Sequence, residues 1–91
     1  MRDGEGDTME GWIDRLAEAF GEDALTREEV NDLLAAARDV AHRVERRITP
    51  LATFLLGSSV GRAMSEGDTR QEALRRALET TEGLLPPAAE G

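Results

Sequence analysis

Pro50 stands between two stretches of helical periodicity, and it decides how this chain can be divided. Inside a helix a proline ring collides with the carbonyl four residues back and removes a hydrogen bond, so the pattern from Arg27 to Met64 cannot be a single helix. Thr49 supplies a capping hydroxyl and proline suits the first helical position, which predicts a helix beginning at Pro50. Gly21 and Gly67 are two further stops. Four helices with short connections follow, and the expected fold is all-α, a compact four-helix bundle with disordered termini.

Each helix carries its own apolar stripe. In the first, starting near Thr8, Met9, Trp12, Ile13, Leu16, Ala17 and Phe20 recur at three- and four-residue steps. Thr26 with Glu29 forms a capping box, with Leu25 and Val30 at the staple positions, and opens a second helix running from Arg27 to about Arg47. Its stripe is Val30, Leu33, Leu34, Ala37, Ala41, Val44 and Ile48. The third, Pro50 to about Met64, has Leu51, Phe54, Leu55, Leu56, Val60 and Ala63 around most of its circumference and is expected to be buried. Gly57 and Gly61 weaken that helix, so they are expected to admit close packing of another helix backbone. Asp68 or Thr69 caps a fourth helix with the stripe Ala73, Leu74, Ala77, Leu78, Thr81 and Leu85, ended by Pro86 and Pro87. The domain reading is a disordered tail at 1–7, a helical domain at 8–85 and a disordered tail at 86–91.

The net charge of −8 over 91 residues is unevenly spread. Residues 1–32 hold eleven acids against three bases, residues 33–64 two against five, and residues 65–91 six against three. Nucleic-acid binding needs a net cationic face, so an acidic chain of this kind argues against it. The longest apolar stretch, Leu51 to Leu56, falls far short of the roughly 20 residues that cross a bilayer, and the acidic start does not resemble a secretory signal. A soluble, cytoplasmic protein without membrane association is expected. With no cysteine, thiolate chemistry and disulfides are excluded. Every basic residue is arginine, which excludes Schiff-base lysine chemistry.

Candidate sites are few. Arg38, His42 and Arg46 stand four apart and would form one row on the second helix, able to receive a carboxylate or phosphate, with solvation of the row as the plainer reading. Arg62, the only charge in the third helix, either pairs with an acid of a neighbouring helix or joins that row. Trp12 reads as core, with an exposed contact anchor as its alternative. Asp39 and His42 make only half of a helical metal site, and no metal or cofactor is expected. Gly57-Ser58-Ser59-Val60-Gly61 matches G-x-S-x-G formally but lacks the strand before the serine, so it reads as packing and no catalytic residue is assigned.

The run Leu33-Leu34, ARDVAH at 37–42, Val44, Arg46, Pro50-Leu51, Thr53-Phe54-Leu55, Gly57 and Gly61-Arg62 resembles the DUF6457 family of small actinobacterial proteins. With Trp12 and its leucine-rich continuation, the resemblance covers about residues 10–83. Arg47-Ile48 and Ser58-Ser59 depart from the family pattern, in which a proline with a small residue, and alanines, are common. The resemblance implies a domain that stands alone or is appended to molybdenum cofactor guanylyltransferase-like proteins, and so an accessory role in molybdenum cofactor biosynthesis or molybdoenzyme maturation. The expected partner is a molybdenum cofactor nucleotidyltransferase or a molybdoenzyme. A non-catalytic protein-binding module is therefore the leading expectation. The alternatives are a small carrier of a phosphate-bearing cofactor, held by Arg38, His42, Arg46 and Arg62, and a homo-oligomerisation domain.

Overall fold

The computed structural model describes residues 9–88; the expected helix start at Thr8, the tail at 1–7 and the last three residues of the tail at 86–91 lie outside them. Four α-helices make up the described residues, α1 (Met9–Ala19), α2 (Arg27–Arg43), α3 (Thr49–Ser65) and α4 (Arg70–Leu84), with one 3-10 turn at Arg46–Ile48. No strand occurs among them. The all-α reading holds. The chain divides into two units, residues 1–31 and 32–91, with the boundary inside α2.

In the first unit α1 ends as a glycine stop dictates. Gly21 has φ +73, its N–H donates to the Glu18 carbonyl at 3.0 Å, and the Glu22 N–H donates to the Ala17 carbonyl at 2.8 Å. This left-handed closure satisfies carbonyls that the helix end would otherwise orphan, and glycine adopts it without a Cβ penalty. Ile13, Leu16 and Ala17 are partly buried, whereas Phe20 is exposed. The capping box that begins α2 forms in both directions: the Thr26 N–H donates to Glu29 Oε1 at 2.9 Å, and the Glu29 N–H donates to Thr26 Oγ1 at 3.1 Å.

In the second unit α2 ends four residues before the expected Arg47, and the reason is Pro50. A helix continued through that position would set the proline ring against the Arg46 carbonyl. Glu45 takes an extended conformation (φ −170, ψ 142), the chain re-enters through the 3-10 turn, and the Thr49 N–H donates to the Arg46 carbonyl. The expected Thr49 cap is thereby lost. Thr49 is already the first residue of α3 at φ −54, ψ −50, whereas an N-cap needs extended backbone to aim its hydroxyl at the following N–H groups. Its Oγ1 is buried without a hydrogen-bond partner.

The core of this unit is the α3–α4 contact. Leu56 and Val60 of α3 pack with Ala73, Leu74 and Ala77 of α4, and Leu33 of α2, Ala63 and Leu78 close around them. Gly67, at φ +110, makes the turn between α3 and α4: its N–H donates to the Met64 carbonyl at 3.0 Å and the Asp68 N–H donates to the Ala63 carbonyl at 3.1 Å. Thr69, one of the two expected caps, starts α4, its Oγ1 accepting from the Glu72 N–H at 3.1 Å.

Two expectations for α3 are corrected. The helix is not buried all round: Leu51, Phe54 and Leu55 are 60%, 73% and 67% exposed, because α4 and its neighbours cover only the Leu56–Val60 side. Nor is there a close backbone approach at Gly57 or Gly61. A Cβ built at either meets nothing within 4 Å, so both glycines lie open.

Thr49 gives a stability test. Because its hydroxyl is buried and unpaired, Thr49→Val removes a desolvated polar atom while keeping the shape, and should stabilise the fold by up to about 1 kcal/mol in chemical denaturation. A loss of similar size would mean that the hydroxyl caps α3 after all.

Candidate functional site

The cations picked out in the sequence do not form one row. Arg38 and His42 are exposed and one helical turn apart on α2. Arg46, also exposed, lies in the 3-10 turn beyond the extended Glu45, so the break that Pro50 imposes takes it off the α2 face. Arg62 is exposed in the last turn of α3 and makes no ion pair among the described residues, contrary to the pairing expected for it. No hydrogen bond or ion pair among the described residues joins any two of these four side chains. Trp12 is 54% exposed, where the α1 stripe placed it in a core.

Other arginines carry the structural ties. Arg43 Nε donates to the Pro86 carbonyl at 2.7 Å, which fastens the chain after α4 to the end of α2. Arg76 pairs with Asp68 across the start of α4, and the hydrogen bond to Asp68, followed by its charge, raises the guanidinium pKa above the ordinary arginine value. Arg75 with Glu79 at 3.5 Å and Arg47 with Glu45 at 3.6 Å are exposed pairs, which contribute little. The tie from Arg43 to Pro86 could not be singled out from spacing. A contact between residues 43 and 86 leaves no local trace in a sequence.

The larger omission is a groove. Between the end of α2, one side of α3 and the outer half of α4 lies an open, mainly apolar cavity of about 490 Å³. Val40, Val44 and Ile48 line it from α2 and the 3-10 turn, Ala52, Leu55, Leu56, Ser59 and Ala63 from α3, and Ala73, Ala77, Thr80, Thr81 and Leu84 from α4. Its origin is the run of small residues. Ala52, Ser59 and Ala63 on one wall and Ala73 and Ala77 on the other project little side chain into the space between the helices and leave it open. That pattern of small residues, four or seven apart on neighbouring helices, was the signal available in the sequence.

Volume and lining suit a row of apolar side chains. Two of the polar groups along the groove are engaged: Thr81 Oγ1 donates to the Ala77 carbonyl at 2.8 Å, and Arg76 is held by Asp68. At the outer end Leu84 is 81% exposed and forms an apolar lip.

A family model described as a domain of unknown function, DUF6457, matches residues 4–90. The chain belongs to the DUF6457 family. No curated protein and no solved structure matches it.

In this DUF6457 chain the G-x-S-x-G segment lies wholly inside α3, with Ser59 partly buried on the groove wall. The strand-to-helix turn that exposes a hydrolase nucleophile is absent among the described residues, and its continuous helix places the serine as a wall residue. Asp39 and His42 have no third ligand, since no group of three or more His, Asp or Glu side chains converges among the described residues.

Because Arg38 and Arg46 are exposed on different elements, the Arg38→Ala, Arg46→Ala double variant should unfold within about 0.5 kcal/mol of the parent, as surface changes away from special features do. Thermal and denaturant unfolding check this. A drop of several kcal/mol would place both side chains in the structural core.

Proposed function

We propose that this DUF6457 domain is a non-catalytic protein-binding module that takes an amphipathic segment of another protein into the groove between α2, α3 and α4. The supporting observation is the groove itself, an open apolar cavity of about 490 Å³ whose rim carries the exposed Leu55, Val44 and Leu84. Exposed apolar surface concentrated beside a groove characterises a helix-in-groove receptor, in which anchors three and four residues apart fill the trough. Arg38 and His42, on the side of α2 away from the groove-lining Val40 and Val44, contribute at most long-range steering toward a partner carrying acids.

For the partner, the family resemblance supports a molybdenum cofactor nucleotidyltransferase or a molybdoenzyme, with the domain as its accessory. The cytoplasm, where such cofactors are assembled, is the proposed location, and no helix among the described residues is long and apolar enough to cross a membrane.

The test is capture of such a nucleotidyltransferase or molybdoenzyme from the native host by the full chain. Val44→Glu and Leu84→Glu both sit on half- or fully exposed positions and should leave the circular dichroism spectrum unchanged. Each should weaken capture at least tenfold by placing a charge in an apolar trough. Capture indifferent to both variants would remove the groove reading. A rise in melting temperature with phosphorylated pterins, abolished by Arg38→Ala, would replace the module with a carrier.

A further inference from the structure

The outer end of the groove is lined by the chain's own Leu85, the first residue after α4. Between residues 82 and 88 Leu85 alone is half-buried, while its neighbours on both sides are exposed, so this one residue of the segment is turned inward. Its backbone is extended, at φ −68 and ψ 137, as a following proline requires. Pro86 is restricted in the same way by Pro87, which makes residues 85–87 a stiff arm that cannot prolong α4.

Such an arm can do little to hold itself in place. Neither proline has an N–H, and the Leu85 N–H turns back to the Glu82 carbonyl at 3.2 Å. The fastening comes from the opposite edge of the groove. Arg43, the last residue of α2 and the neighbour of the groove-lining Val44, donates from Nε to the Pro86 carbonyl at 2.7 Å. This hydrogen bond is exposed, so water can replace it at small net cost.

We propose that residues 85–87 are a releasable strap that regulates the groove. With the Arg43 clasp closed, Leu85 occupies the place of an incoming segment's last apolar anchor; docking of that segment displaces Leu85 and opens the clasp. The strap rests on the groove being the docking site. Three features carry it. The inward residue is a leucine, the kind of side chain by which an amphipathic helix anchors in a trough. The prolines give the arm a fixed shape, so losing the clasp moves Leu85 together with Pro86. The clasp crosses from α2 to the chain after α4, so the two edges of the groove are joined by a contact that opens without disturbing the Leu56, Val60, Ala73 and Ala77 core. A partner then binds with an apparent affinity lowered by the fraction of chains that are clasped.

The probe is N-phenyl-1-naphthylamine, an uncharged apolar dye, titrated by fluorescence into the full chain. Two variants isolate the hydrogen bond from the charge. Arg43→Met places a methyl where Nε stood, and Arg43→Gln places an N–H donor there. Arg43→Met and Leu85→Ser should each tighten dye binding about three- to tenfold, since both free the outer end, whereas Arg43→Gln should stay near the parent. Val44→Glu should weaken it at least about tenfold. Because the chain has no cysteine, a nitroxide on Ala88→Cys reports the arm alone. Its mobility should rise in the Arg43→Met background and, in the parent, on saturation with dye. Dye affinity unchanged or lowered in Arg43→Met and Leu85→Ser, with Val44→Glu still weakening it, overturns the strap and leaves the groove standing. A label no more mobile in Arg43→Met than in the parent also overturns it. Affinity indifferent to Val44→Glu removes the groove and the strap together. If Arg43→Met loses its helical circular dichroism, Leu85→Ser and the response of the parent's label to dye decide.

Discussion

The second unit hangs on the close fit of α3 against α4, where the branched Leu56 and Val60 meet a surface flattened by Ala73 and Ala77. Alanines at that spacing present little bulk, and the branched side chains of Leu56 and Val60 pack against them. Gly67 makes the approach possible by reversing the chain in a tight left-handed turn. With these elements held, the end of α2 and the chain after α4 become the edges of a trough, tied to each other by the Arg43 hydrogen bond to the Pro86 carbonyl. The small residues that bring the helices together at one level leave the groove open at the next.

Pro50 is the second organising constraint, and its effects reach the candidate site. By forbidding a continuous helix it produces the extended Glu45 and the 3-10 turn, strands the Thr49 hydroxyl, and moves Arg46 off the α2 face. A row of cations four residues apart exists only if the helix beneath it continues. It does not, and what the described residues present beside the groove is exposed apolar surface. The α3 helix presents such surface on two sides, Leu55 at the groove and Phe54 on the outward face, with its buried side between small-residue contacts.

Local rules were legible in the sequence wherever the interaction they describe spans only a few residues. The Thr26–Glu29 capping box, the Gly21 and Gly67 stops and the Thr69 cap each depend on backbone groups within about one turn, and each is formed as the residue types require. The α4 stripe was equally clear, because a helix with charged residues on one side and Ala73, Leu74 and Ala77 on the other has a single way to face a core. Failure came where a pattern admitted two neighbours. An apolar circumference on α3 means burial if helices surround it and exposed apolar surface if they do not, and periodicity is the same in both cases.

Sequence by itself therefore determined the all-α class, the number of helices among the described residues and the starts of α2 and α4, since those follow from hydrogen bonds and dihedral preferences of adjacent residues. It also fixed what the chain cannot do, having no thiol and no lysine. Tertiary structure decided which side of α3 is covered, that Gly57 and Gly61 stand open, that Arg43 and Arg76 are the tying cations while Arg38 and Arg62 are not, and that a groove exists. Those outcomes depend on distances between residues far apart along the chain, such as 43 and 86 or 52 and 84. Such distances are set by how helices of particular bulk stack, and no local pattern encodes them.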